Sequence, residues 1–234
     1  MTQLLPSDDN RPVLVLGPNP TPNGGMHLGH IAGPYLAGDV YARYQRARGR
    51  NVIFTSETDD SQTYVVASAG RAGITPEQLC KQSTAKIQSA LSAIGISIDG
   101  FGPFDQTYRA TVLQYFSALH SAGVFKLKTV RLPFLERTGE FMVEGLIEGD
   151  CPVCLTSSRG GLCETCCHPN NFDQLINPHS TINPDDKLTY REATIMVLPL
   201  EEYRAQLMMY HERLAAHRRP YVWQMIAELL SRPL

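Results

Sequence analysis

Long apolar runs are missing from this 234-residue sequence. None approaches the ~20 residues that a membrane-crossing helix needs. No excess of positive charge is present either: 21 Lys and Arg stand against 23 Asp and Glu. That excludes a surface that binds nucleic acid through bulk charge, so any RNA contact has to be local. The opening stretch MTQLLPSDDNRP has neither a cationic segment nor an apolar one, and a secretory leader is not expected. Internal repeats and low-complexity segments are absent. Together these absences predict a cytoplasmic protein with no membrane partner. Cysteine is scarce outside one window: five of the six fall between Cys151 and Cys167, and Cys80 stands apart. A disulfide framework would spread them along the chain, so the clustering points to a metal. Cys80, alone in a helical pattern, reads as a core residue.

What is present begins with an apolar run, Val13–Leu16, followed by Pro18-Asn19-Pro20-Thr21-Pro22-Asn23-Gly24-Gly25-Met26-His27-Leu28-Gly29-His30. A strand, a Pro/Gly-rich loop and a helix start make a phosphate site, because loop amides and the positive end of the helix face the anion. His27 and His30, three apart at a first turn, share a face. The pattern predicts a helix over residues 28–48 and a second strand over residues 51–56. That strand runs into Glu57-Thr58-Asp59-Asp60-Ser61-Gln62. In a parallel sheet, ligands sit at the carboxyl ends of strands, which places the histidine loop and the acidic loop at one edge. Taken alone, the acidic loop would be a solvated turn.

Helices follow over residues 62–72, 75–94 and 107–122, the second with Thr75 as cap and Pro76 at its first position. The last carries a stripe of Leu113, Phe116 and Leu119. Strands are expected over residues 124–134, 139–147 and 193–198, with a Pro/Asn-rich loop over residues 168–187. Helices return over residues 200–215 and 221–231. Trp223 with Ile226 and Leu230 reads as core, and Arg204, Arg213, Arg218 and Arg219 read as a solvated face. This order predicts an α/β fold with a parallel sheet, in three segments: 1–122 nucleotide-binding, 123–198 a β-rich insert, 199–234 helical.

The insert holds two C-x-x-C knuckles, Cys151–Cys154 and Cys163–Cys166. Two knuckles give the four thiolates of a closed structural zinc site, with a folding role and no open catalytic position. Cys167 and His168 are near enough to substitute, and a redox pair or buried free thiols would be the alternative use.

Taken together, Pro20-x-x-Asn23-Gly24-x-x-His27-x-Gly29-His30, the Asp59-Asp60 loop and the zinc knuckles resemble the N-terminal half of the methionyl-tRNA synthetase family, a class I group. The resemblance runs from about Val13 to Arg232. It includes Tyr44-Gln45-Arg46-Ala47-Arg48-Gly49, Gly73-Ile74-Thr75-Pro76-Glu77-Gln78 and Gly149-Asp150-Cys151-Pro152-Val153-Cys154. It implies the first half of a Rossmann-like sheet with a zinc-bearing connective insert. It implies ATP with Mg2+ held by Asn23, Gly24, Gly25, His27, Gly29 and His30, the two histidines being catalytic. Asp60 would bind the amino acid's ammonium, within a pocket of Pro18, Asn19, Thr21 and Gln62. The reaction would form an aminoacyl-adenylate.

Two departures shape the expectation. Asn19 and Thr21 stand where the family has an apolar residue and a tyrosine, and Gln62 stands for a histidine. A thioether gains from apolar and aromatic walls, so a smaller or more polar amino acid than methionine is expected. The family's lysine loop, the second half of its fold and its anticodon domain do not appear within these residues. A longer protein, a second polypeptide or a non-catalytic zinc-bearing module would each account for that. The acceptor would be tRNA, or a small amine or hydroxylamine as in synthetase-like hydrazine-forming enzymes.

Overall fold

The computed structural model describes residues 11–166, 168–217 and 219–231. Cys167, a candidate substitute ligand, and Arg218, one of the helical arginines, lie outside the described residues.

Strand β1 (Val13–Leu16) runs parallel to β2 (Val52–Glu57), with Val13 opposite Val52 and Leu16 opposite Thr55. The connection is helical: α1 (Leu28–His30) passes through a widened π turn, Ile31–Tyr35, into α2 (Leu36–Ala47). Pro34 sits inside that turn, where its missing N–H interrupts the regular ladder. After β2 come α3 (Thr63–Ala72) and α4 (Pro76–Ala93). Thr75 and Gln78 cap α4 reciprocally, as its Thr-Pro-Glu-Gln start requires. A short β3 (Gly100–Gly102) then joins β2 in parallel, giving the order β1-β2-β3.

Alternation along the strands sends Val15, Val52 and Phe54 to one face, where they pack with Tyr35, Ala42, Ile87, Leu91 and Ile96. The opposite face carries Leu14, Leu16 and Ile53, exposed by 62%, 70% and 50%. Two carboxylates tie the helical layer to the sheet. Asp39 accepts from the Ser97 amide at 2.7 Å and from its hydroxyl at 2.5 Å, and pairs with Arg43 at 2.7 Å. Asp99 accepts from the Phe54 amide at 2.7 Å and from Arg46 at 2.5 Å.

Next come α5 (Gln106–Ser121), β4 (Lys126–Leu135) and β5 (Glu140–Phe141). The strand expected over residues 139–147 is broken, because Glu144–Leu146 forms a 3-10 turn with Glu144 at φ 46° before β6 (Ile147–Asp150). Short strands β7 (Ser157–Ser158), β8 (Gly161–Leu162) and β9 (Pro169–Asn170) frame the cysteines. The segment expected as loop over residues 168–187 holds β9 and also β10 (Ile176–Ser180), which pairs antiparallel with β6. A bulge between Ile176 and His179 accommodates Pro178, which has no N–H to give a ladder. β11 (Leu188–Val197) joins β4, and the chain closes with α6 (Arg204–Leu214) and α7 (Pro220–Leu230).

Contacts gather the chain into two units. One runs to Arg109 and takes in Leu132–Arg191; the other comprises Ala110–Arg131 and the residues from Glu192 onward. The first holds the parallel sheet and the cysteine module. In the second, the apolar stripe of α5 is not buried. Leu113 is 68% and Phe116 50% exposed, and Phe116 stacks only on Phe125, at 6.0 Å, among the described aromatic rings of its unit other than its neighbour Tyr115. Leu230 is buried, while Trp223 and Ile226 are half-buried. Among the described residues no helix is long and apolar enough to cross a membrane.

Candidate functional site

The chain leaves β1 at Gly17, whose amide donates to the Thr55 carbonyl at 2.7 Å. A Cβ on Gly17 would stand 3.0 Å from that of Ser56 and 3.3 Å from the Tyr35 ring, so a side chain there would push the loop away from both. The Pro18 carbonyl is held by the fully buried Tyr35 hydroxyl at 2.8 Å and by the Ser56 hydroxyl at 2.8 Å. Beyond this anchor the loop opens. Asn23 is exposed, and Cβ atoms built on Gly24 or Gly25 would meet nothing within 4 Å. That leaves backbone free to meet a ligand closely.

His27 caps the helix that His30 continues. Each imidazole Nδ1 accepts from the other residue's amide, both at 3.3 Å. The rings stack at 3.6 Å between centroids, inclined by 20°. Gly29 makes room for this, since a Cβ there would lie 3.0 Å from the His27 ring. Burial, with the His27 ring beside it, holds His30 below the usual imidazole range.

The acidic loop meets the first loop residue by residue. Asn19 Nδ2 donates to Glu57 Oε1 at 2.9 Å, and the Asp59 amide donates to the Pro20 carbonyl at 3.1 Å. Thr21 Oγ1 donates to Gln62 Oε1 at 2.7 Å, and Gln62 Nε2 in turn donates to Asp59 Oδ2. Asp59 therefore faces the candidate pocket residues Thr21 and Gln62. Asp60, the residue singled out from sequence, turns its carboxylate the other way. It accepts from Thr58 Oγ1 at 2.7 Å and from the thiol of Cys80, in a cleft of about 570 Å³ shared with Lys81, Phe104 and Arg109. Cys80 is thus not the core residue expected: it is half-buried and lines this cleft. Burial, then the Asp60 carboxylate, pushes its thiol up to about 12. Tyr108 was not foreseen. Burial and then the carboxylates of Glu57, Asp59 and Asp60 raise its hydroxyl, so it lies within the field of all three.

The cysteine module gathers Cys151, Cys154, Cys163 and Cys166, with all four sulfurs within 4.8 Å of one another. Cys151 and Cys166 are 3.8 Å apart at sulfur, and Cys154 and Cys163 are 3.6 Å apart. Zinc–sulfur bonds of about 2.3 Å in a tetrahedron set sulfurs about 3.8 Å apart, so the set fits zinc. The knuckles also supply amides to the sulfurs. Burial raises Cys151, but the Cys154 and Val153 amides outweigh it and bring the thiol to about 6. The Cys166 and Thr165 amides likewise lower Cys163. Cys166 receives a His168 amide, yet burial and the three other sulfurs push it up to about 12. Four crowded sulfurs of this kind call for a cation. His168 contributes its carbonyl to the Cys163 amide at 2.9 Å and is not one of the four.

The profile of the family described as class I (M) tRNA synthetases matches residues 13–234. The methionine–tRNA ligase of Chlorobium chlorochromatii is 33% identical over 205 residues, covering 87% of this chain and 29% of that protein. The chain belongs to the methionyl-tRNA synthetase family. Roseiflexus castenholzii methionine–tRNA ligase is 34% identical over 203 residues, covering 86% of this chain and 34% of that protein. The chain thus spans about a third of the length of these relatives. A solved methionyl-tRNA synthetase of Mycobacterium tuberculosis, in complex with methionyl-adenylate, overlays with a TM-score of 0.68 at 21% identity. That overlay covers 96% of this chain and 39% of the other, and it carries the class I synthetase fold. The histidine loop, the acidic loop and the four cysteines all fall inside the stretch matched to the family.

Proposed function

We propose that the protein activates an amino acid with ATP, as a class I synthetase does, through the edge where the two loops meet. The observation that carries this reading is the row of bonds from Asn19, Pro20 and Thr21 to Glu57, Asp59 and Gln62. That row fixes a carboxylate a few residues from the paired histidines. His27 and His30 hold the phosphates, and Asn23, Gly24, Gly25 and Gly29 let the backbone reach the nucleotide. The ammonium role passes from Asp60 to Asp59, because it is Asp59 that Gln62 aims at the first loop. Attack of the amino-acid carboxylate on the α-phosphate forms the aminoacyl-adenylate and releases pyrophosphate, with Mg2+ accompanying ATP. No protein nucleophile is required; positioning and donors aimed at developing charge supply the rate. Cys151, Cys154, Cys163 and Cys166 would hold zinc that folds the module. As the relatives' names imply, the acceptor is tRNA.

The substrate is an amino acid more polar than methionine. Asn19, bonded to Glu57, and Thr21, bonded to Gln62, build a wall of amides and hydroxyls. Forcing a thioether against such groups would cost of order 1–3 kcal/mol for each partner lost. Pyrophosphate exchange by the full-length protein, with ATP and the twenty amino acids in turn, tests the proposal. Exchange with at least one, abolished by His27→Ala or His30→Ala, is the expected result. Exchange with none overturns it.

A further inference from the structure

The carboxyl ends of β1 and β2 border an open cleft of about 440 Å³, lined by Leu16, Pro18, Asn19, Thr55, Ser56 and Glu57. Its hydroxyls are already given to backbone carbonyls. Thr55 Oγ1 donates to the Gly100 carbonyl at 2.9 Å, and Ser56 Oγ donates to the Pro18 carbonyl at 2.8 Å. Its one side-chain amide donor, Asn19 Nδ2, is given to Glu57. Glu57 takes part in none of the ion pairs found among the described residues. A carboxylate offers about four lone-pair positions and no donor. The cavity therefore presents acceptors rather than donors: the remaining capacity of Glu57 and the Asn19 carbonyl oxygen.

Glu57 also has little room beside it. Gly102 of β3 lies against it, and a Cβ on Gly102 would stand 3.0 Å from Glu57 Oε2. A side chain at residue 102 would displace the carboxylate. The Asn19 bond fixes the other oxygen.

We propose that Glu57, oriented by Asn19 and by the space at Gly102, selects an amino acid whose side chain ends in a hydrogen-bond donor. This inference rests on the adenylate-forming reading of the same site and names its substrate class. A hydroxyl, amide or cationic group supplies the donor the cavity lacks. A thioether or hydrocarbon leaves the carboxylate desolvated and unpaired. An acidic side chain meets a like charge.

The test compares kcat/KM for pyrophosphate exchange across the amino acids, with full-length wild type and Glu57→Ala, each checked for an unchanged melting profile. Wild type is expected to use a donor-ended amino acid at least tenfold better than methionine, leucine, aspartate or glutamate. Glu57→Ala is expected to move that ratio at least tenfold toward the apolar side chains while leaving the KM for ATP within twofold. Should Glu57→Ala fail to fold, the near-isosteric Glu57→Gln carries the comparison, with a shift of at least threefold. Preference of the wild type for an apolar or acidic amino acid overturns the inference and leaves adenylate formation standing. So does an unmoved ratio in the variants. Exchange with no amino acid overturns both.

Discussion

Gly145 lies directly against the backbone of Tyr64: a Cβ built on Gly145 would stand 2.5 Å from the Tyr64 nitrogen. The Gly145 amide also donates to Thr63 Oγ1 at 3.0 Å, and its carbonyl accepts from Thr181 Oγ1 at 2.6 Å. The cysteine module is thereby seated on the first turn of α3, immediately after Gln62. Gly145→Ala is expected to lower stability by about 1–3 kcal/mol, the usual cost of overpacking a filled site. Urea unfolding of the variant beside wild type measures it. Zinc content should stay unchanged, since none of the four cysteines is touched.

Removal of the metal should act on the module and spare the parallel sheet. Cys163 is fully buried, and the residues around it are held by two-residue strand pairs that are marginal alone. Cys163→Ser, or a strong chelator, is expected to release about one zinc per chain and to open residues 144–180 to limited proteolysis. Mass spectrometry of the fragments checks this. Resistance of that stretch after complete zinc loss would contradict it.

Much of this was legible in the sequence, and the boundary of legibility is physical. The cap of α4, the two knuckles and the strand–loop–helix order are local patterns whose chemistry is complete within a few residues. Helix α5 shows the limit of such patterns: the spacing of Leu113, Phe116 and Leu119 states which residues share a face, not what covers that face. The different surroundings of Asp59 and Asp60 are another tertiary matter. Gln62, which donates to Asp59, is itself held by Thr21, 41 residues before it, while Asp60 accepts from Thr58. The bond from Asn19 to Glu57 spans 38 residues and leaves no pattern in the chain. The break at residues 144–146 depends on the close contact of Gly145 with α3, which no strand periodicity encodes.

Asp39 makes an acid-sensitive tie. Its burial works against ionisation, but bonds from the Ser97 hydroxyl and amide and from Arg43 outweigh that and hold the carboxyl below its usual range. A depressed folded-state pKa contributes stability that is present above the unfolded value, about 3.9, and lost as the pH falls through the folded value. Asp39→Asn is expected to cost about 1–3 kcal/mol at neutral pH. The gap between variant and wild type should stay constant from pH 7 to about 5 and narrow below about 4. Chemical unfolding at a series of pH values measures it.

Tyr35 and Ser56 share one acceptor, the Pro18 carbonyl, and lie 3.1 Å apart at oxygen. Tyr35→Phe and Ser56→Ala are each expected to cost about 1 kcal/mol. The double variant should depart from the sum by at least about 0.5 kcal/mol, because each hydroxyl can take over part of the other's bond. A double-mutant cycle of unfolding free energies decides it, and strict additivity would show that the two bonds are independent.

The reciprocal bonds between His27 and His30 have a consequence for where their protons reside. Each Nδ1 receives an amide N–H, so it must keep its lone pair, and the single ring proton of each imidazole is confined to Nε2. The backbone thus selects one tautomer for both rings. Charging either ring would put a second N–H against an amide donor and break the cap. In the proposed nucleotide site the two rings would then offer the phosphates their Nε2–H groups side by side.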